Sequence, residues 1–509
     1  MKVGGKLNQA EDYTFWRLAH FFINDLEYRL INLSKNQKEL WLEKTENKKA
    51  QVIRLLQHNL DWGNWLQHDL ERTALNGENI RKQIVKGKLN VTNIYVTAYP
   101  PVDDYEFRID KPYIHPNKKT IVSSTLIENA MTEEKIQQIA AEFGKPMNNN
   151  LGDIELLKKE TLETAVNRAK SERALFDYGK PFFTYFFIAL QVIVFFVMEL
   201  LGSSTDSNTL IQFGAKFNPL ILEGEWWRFL TPIFLHIGFA HLLMNTLALF
   251  YIGVAVERIY GRIRFLFIYL IAGFGGSLAS FLFSPNLSAG ASGAIFGCFG
   301  ALLYFGMIYP KLFFRTMGVN IFVVLGLNLV FGYTVPGIDN AGHLGGLVGG
   351  FLATGIVHFP KKKKVKLQSL FLVLSIILSY GILRYGFENP SAVLDETSIM
   401  VMSQEYMAKD EYEKAYELLL EVPEQKELSA QYYFLLSYAE IKLEKLNHAK
   451  ESLLKAIEVD PKLHEAHYNL ALVYLDQQEY EKAKSYAAKA VELSPGNQDY
   501  KNLLQQFNN

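Results

Sequence analysis

Apolar positions along this chain fall into three regimes. Residues 1 to about 175 are polar and mixed, residues about 180 to 386 are strongly apolar, and residues about 392 to 509 are polar again with a helical pattern. The middle regime predicts seven helical spans, because about 20 apolar residues cross a hydrocarbon layer of ~30 Å. Their approximate limits are 181–201, 234–256, 264–283, 291–309, 317–335, 340–358 and 367–386. The first twenty residues lack the apolar stretch of a secretory signal, so about a third of the chain is expected to stay cytosolic.

Loop charges set the expected orientation. Arg258, Arg262 and Arg264 follow the second span, Lys311 and Arg315 the fourth, and Lys361, Lys362, Lys363 and Lys364 the sixth. The loops on the other side, LGSSTDSNTL, SPNLSAG and VPGIDN, carry no basic residue. Basic loops stay inside, which predicts a cytosolic N-terminus and, with seven spans, an extracytoplasmic C-terminus. Lys216 and Arg228, in the long first outer loop, are exceptions. The lysine run reads as a topology determinant with affinity for anionic lipid.

The C-terminal regime repeats itself. Ala415, Ala449 and Ala483 are spaced by 34, as are Tyr412, Leu446 and Tyr480, and Pro461 and Pro495. A small residue inside a helix and a proline after it, at that period, predict tetratricopeptide helix pairs. Such pairs stack into a solenoid whose concave face takes partners. The N-terminal regime predicts a small α/β domain: a helix over 11–34, strands at 38–44 and 91–99, and a helix at 132–143. Asp103, Asp104 and Glu106 have the charge to attract a cation, but no metal or nucleotide motif accompanies them and they read as a solvated loop. Four regions result: a cytosolic α/β accessory domain over 1–175, a membrane core over 176–360, a seventh span with its flanks over 361–391, and an extracytoplasmic repeat domain over 392–509.

Composition adds exclusions. The net charge is -1, which gives no case for nucleic acid. Cys298 is the one cysteine, so an internal disulfide and a cysteine metal site are excluded. No cofactor and no metal is expected.

Polar side chains inside a span are expensive and mark function. His236, His241 and Asn245 fall in HIGFAHLLMN, Ser292 in GASGAIFG and His343 in NAGHLGG. His241 and Asn245, four apart, share a helix face. Ser292 and His343 lie at corresponding depths near the outer ends of their spans. Gly293 and Gly297, Gly345 and Gly349, and Gly346 and Gly350 are each four apart, a spacing that lets helices approach closely in lipid. A serine hydroxyl needs a base to become a nucleophile, and histidine is the usual one. The oxyanion donors available are the Asn245 amide, His241 and the Ser292 N–H. No Asp or Glu lies within the fourth or sixth span, so the pattern points to a dyad, with Phe296 placed to pack against the His343 ring. Asp339 reads as loop, Cys298 as core packing and His236 as structural. The bland alternatives are a packing serine at a helix crossing, a satisfied structural His343, and an Asn245–His241 pair that bridges helices.

GASGAIFG, AGHLGG and HIGFAHLLMN together resemble the rhomboid protease family. Trp227 and Arg228 match its Trp-Arg pair, and Glu257, Arg258 and Gly261 its Glu-Arg-x-x-Gly signature. The resemblance covers about residues 180–360 and implies a six-helix core with a water-filled site open to the outside. It implies an intramembrane serine endopeptidase that cuts in or near transmembrane helices of other proteins. Ser292 carries over as nucleophile, His343 as general base and acid, and Asn245 and His241 as oxyanion stabilisers. The expected fold is therefore an α-helical polytopic membrane protein, a six-helix rhomboid core plus a seventh span, flanked by the two soluble domains. Expected partners are transmembrane-protein substrates, the bilayer and proteins bound by the repeats, and the expected setting is a bacterial cell membrane. A dead rhomboid-like binder would lack Ser292 or His343, and a transporter would show repeats within the membrane region, which are not seen.

Overall fold

The computed structural model describes residues 3–84, 87–128, 132–148, 152–421 and 428–507. The chain divides into two compact units, Met1–Leu175 and Phe176–Asn509.

The first unit is built on a six-stranded mixed sheet, in the order β1-β2-β3-β4-β6-β5. The strands are β1 (Arg29–Leu33), β2 (Glu39–Glu43), β3 (Val52–Gln57), β4 (Leu89–Thr97), β5 (Tyr113–Ile114) and β6 (Thr120–Glu128). Alternation assigns the two faces. Leu40, Leu42, Ile53, Leu55, Ile94 and Val96 pack with helices Val3–His20, Thr132–Glu142 and Ile154–Phe176. Trp41, Val52, Val91 and Val122 pack on the other face with Leu70 and Ala74 of helix Gly63–Ile84. On that second face the buried Arg54 guanidinium donates to both Asp69 oxygens and to Glu39, so its charge is paired. The helix expected over 11–34 stops short. Its last part is β1, because RLINL pairs with β2 and that ladder overrides local helical periodicity. Asp103 is a cap: its carboxylate accepts the Gly63 N–H at the start of the long helix, while Asp104 and Glu106 are exposed.

The second unit opens with apolar helices where apolar runs were expected. They are α1 (Phe183–Leu201), α2 (Gly238–Tyr260), α3 (Arg262–Phe283), α4 (Ser292–Ile308), α5 (Gly318–Thr334), α6 (Asn340–Val357) and α7 (Val365–Glu388). Among the described residues, α1, α2, α3 and α7 are long and apolar enough to cross a membrane alone. A bent pair, Pro310–Thr316 with α5 at 72°, makes a fifth. α4 has only 17 residues, and Asn340, His343 and six glycines dilute the hydropathy of α6. α2 contains one wider turn at Leu249–Gly253, a local feature common at functional sites.

Helix pairs follow, beginning with α8 (Glu396–Ala408) and α9 (Tyr412–Leu420) and ending at helix Gln498–Gln506. Ala415, Ala449 and Ala483 are fully buried where paired helices cross, as the 34-residue spacing predicts. The first pair does not stand apart from the membrane helices. Ile221 and Phe229 of the long connection between α1 and α2, Leu278 and Phe281 of α3, and Ile399, Met407, Leu419 and Tyr432 of the repeats form one apolar cluster. Asn218, fully buried, donates to the Phe281 and Val393 carbonyls, and Trp226 stacks on Phe387 with ring centroids 4.9 Å apart.

Candidate active site

Close helix contact sets the site. A Cβ placed on Gly346 would lie 1.9 Å from the Gly293 carbonyl oxygen, and one on Gly350 would lie 2.1 Å from that of Gly297. No residue larger than glycine fits there with this backbone, so α4 and α6 run nearly in contact. Gly345 and Gly349 serve another neighbour: they meet Gly275, Ala279 and Ala272 of α3. Gly276 of α3 in turn abuts Gly342 and Gly293. The three helices thus form a tight triangle, and the third member was not foreseen from the sequence.

Ser292 is the first residue of α4 and His343 lies in the first turn of α6. The contact brings His343 Nε2 to 2.9 Å from Ser292 Oγ. The Phe296 ring lies flat on the imidazole, with centroids 4.2 Å apart and planes at 8°. His343 Nδ1 has no hydrogen-bond partner among the described residues, so the ring is oriented by stacking. Gly290, at φ +149, precedes the serine. A Cβ on it would lie 2.7 Å from His241 Cε1 and 3.7 Å from Ser292 Oγ, so the His241 ring and the hydroxyl both face this glycine.

Asn245 sits one turn after His241 on α2 and is buried. Its Nδ2 donates to the His241 carbonyl at 3.0 Å, which leaves a second N–H free to turn toward a ligand. His236 is fully buried under His241, their rings edge to face at 5.3 Å, and it does not approach Ser292 through any hydrogen bond. Cys298 is buried packing.

The two flanking signatures are structural. Arg228 Nε pairs with Glu225 at 2.5 Å, and its Nη1 donates to the Ile211 and Ala215 carbonyls, pinning the connection between α1 and α2. Trp227 is half exposed. The buried Glu257 carboxylate accepts N–H groups of Phe182, Phe183 and Thr184, plus the Thr184 hydroxyl. It satisfies the open donors at the start of α1, which every helix N-terminus must place somewhere. Gly261, at φ +84, makes the turn from α2 into α3.

The sequence reads Asp339 as loop. It is not free loop: its side chain caps α6 by accepting from Gly342 N at 2.8 Å, and it also accepts from Ser288 Oγ at 2.7 Å. It does not touch the His343 ring. The available clue was an Asp at the N-cap spacing ahead of an apolar run.

An apolar bundle that holds a serine–histidine pair at two helix starts defines the class as a serine hydrolase working inside the membrane. The comparisons agree. A family model described as the Rhomboid domain matches residues 223–360, and tetratricopeptide-repeat models match 464–497 and 437–478. The chain is 40% identical over 474 residues to "Rhomboid protease GluP" of Bacillus subtilis (strain 168), covering 92% of each chain. It is 30% identical over 253 residues to "Rhomboid protease AarA" of Providencia stuartii, which is 44% of this chain and 90% of that one. The chain belongs to the rhomboid protease family. It is a multi-pass membrane protein and an intramembrane serine protease, with a repeat region of a kind that binds proteins.

Proposed function

We propose that Ser292 and His343 are the catalytic dyad and that Asn245 and His241 stabilise the oxyanion. The 2.9 Å approach of His343 Nε2 to Ser292 Oγ carries this reading. His343 Nε2 takes the hydroxyl proton as Oγ attacks the scissile carbonyl carbon. The Asn245 amide, His241 and the Ser292 N–H face the developing oxyanion. The tetrahedral species collapses as the amide C–N bond breaks, and His343 returns the proton to the leaving amine. Water then attacks the acyl-enzyme ester with His343 again as base, which releases the carboxylic acid and restores the hydroxyl. Phe296 holds the imidazole plane through both steps, a role for which soluble triads use a carboxylate.

The substrates in this reading are transmembrane helices of other proteins, cut in or near the membrane. The N-terminal α/β domain faces the cytosol of a bacterial cell and the repeats face outward, where they recruit or regulate clients by raising local concentration. Basic residues after the second, fourth and sixth spans support that orientation. Lys216 and Arg228 no longer count against it, since both are buried and hydrogen-bonded, Lys216 to the Ser284 and Asn286 carbonyls of the α3–α4 connection and Arg228 within its own loop.

The test of the dyad is cleavage of a helical fluorogenic substrate in proteoliposomes. Ser292→Ala and His343→Ala each abolish cleavage while inserting normally; turnover by folded Ser292→Ala at the parent rate refutes the assignment. Protease protection in intact spheroplasts tests the orientation: the repeats are digested and the N-terminal domain is protected.

A further inference from the structure

The connection from α3 to α4 leads from Ser284 to Ser292, and it is held along its whole length. Lys216, fully buried in the first outer loop, donates from Nζ to the Ser284 carbonyl at 2.5 Å and the Asn286 carbonyl at 2.7 Å. Its backbone forms a two-way bridge with Ser288, with N–H to O distances of 2.9 and 3.0 Å. The Gly290 N–H donates to the Pro232 carbonyl at 2.9 Å. On the opposite side, Ser288 Oγ donates to Asp339 Oδ2 while Asp339 Oδ1 caps α6. His343 N–H also donates to the Asp339 carbonyl at 3.1 Å.

We propose that Lys216, Ser288 and Asp339 form a latch that fixes the distance between Ser292 and His343. One end grips the segment that delivers the serine, and the other grips the start of the helix that carries the histidine. The inference rests on the dyad reading above. None of the three touches the reacting atoms, so they are positioning residues. A buried lysine is an expensive way to tie a loop, because the ammonium loses its water. Two backbone carbonyls replace that water, and they belong to the segment that leads directly into Ser292. Burial pushes the Lys216 amine down to about 8, against the pull of Asp339 and Asp395. A hydrophobic residue of the same length would fill the space but leave both carbonyls without donors. A misplacement of about 1 Å at reacting groups costs on the order of a hundredfold in rate, so a slack latch reads out in turnover more than in substrate affinity.

The test uses the full-length protein in proteoliposomes with Lys216→Met, Ser288→Ala, Asp339→Ala, Asp339→Asn and the Lys216→Met/Asp339→Ala double variant. Two quantities are measured: kcat and KM for a helical substrate, and the rate at which a small fluorophosphonate labels Ser292. Labelling reports the nucleophile without the substrate helix. The expected result is a fall of about ten- to a hundredfold in both kcat and labelling for Lys216→Met and Asp339→Ala, with KM within about twofold. Asp339→Asn, which keeps an oxygen for the cap and a partner for Ser288, recovers most of the rate. The double variant is no slower than the worse single one, since both break one device. Folded variants that keep parental kcat and labelling overturn the latch, as does a rise in KM alone or losses that simply add. If Lys216→Met fails to insert, Ser288→Ala and Asp339→Ala decide. The dyad reading fails separately, through a Ser292→Ala protein that still cleaves.

Discussion

Gly346→Ala tests the contact on which the site depends. The added methyl would lie 1.9 Å from the Gly293 carbonyl oxygen, where real Cβ contacts rarely fall below 3.0 Å, so α4 and α6 must part by about 1.1 Å. Gly293 follows Ser292 directly and Gly346 lies three residues after His343, so the opening falls at the dyad. A 2.9 Å hydrogen bond becomes about 4.0 Å, outside bonding range. From a misplacement of that size we expect kcat to fall about a hundredfold. The effect on stability is smaller, because a gain of about 1 kcal/mol in helix propensity offsets part of an overpacking cost of about 1–3 kcal/mol. Rates are measured in proteoliposomes at saturating substrate, with thermal unfolding followed in parallel. Gly326→Ala, at a position with nothing within 4 Å, is the control and leaves both unchanged or slightly improved. A folded Gly346→Ala protein with parental kcat would refute the claim that glycine contact sets the dyad.

Other expectations follow from the same geometry. Asn245→Ala lowers kcat about tenfold with KM nearly unchanged; this is less than the ~2.7–4 kcal/mol of a lone oxyanion donor, since His241 and the Ser292 N–H remain. Phe296→Ala removes the plane against which the imidazole rests and lowers kcat, whereas Phe296→Tyr keeps the ring and most of the rate. Glu257→Ala strands three N–H groups and a hydroxyl at the start of α1, at about 1–3 kcal/mol for each buried group left unpaired, and is read as lost accumulation in membranes. A chain cut after residue 390 exposes Ile221, Phe229 and Phe281, so its unfolding temperature falls while the dyad stays assembled; unchanged stability would count against the shared core.

Much of the site was legible because intramembrane polar residues are rare and their spacing is informative. Ser292, His343, Asn245 and His241 stood out against apolar runs, and Phe296 followed from one helical turn. The glycine pairs pointed to close packing, but which pair met which helix depends on the three-way arrangement with α3, and periodicity cannot give that. The contacts of Asp339 and Lys216 are not legible for a related reason. Each makes its contacts through a loop far away in sequence, so neither shows a local pattern beyond the cap spacing. The strand Arg29–Leu33 was read as helix because five residues of mixed polarity fit either period, and only pairing with β2 decides. The membrane spans were visible as runs, whereas the dilution of α6 by glycine reflects its close packing on α3 and α4, which works against plain hydropathy.

The apolar cluster that runs from Phe229 to Tyr432 bears on how such chains can be recombined. A repeat array is commonly treated as a cassette, portable at the linker that precedes it. Here that linker is anchored in the packed interior by Val393 and Leu394, both buried in the cluster, and the Val393 carbonyl is taken by Asn218. A graft made there carries away the repeats' share of the cluster and leaves the α1–α2 connection uncovered. The transferable piece is residues 176–509, the unit in which the loop and its cover arrive together. Substitutions at Phe229, Phe281 and Tyr432 are accordingly coupled, although two lie in the membrane core and one in the repeats.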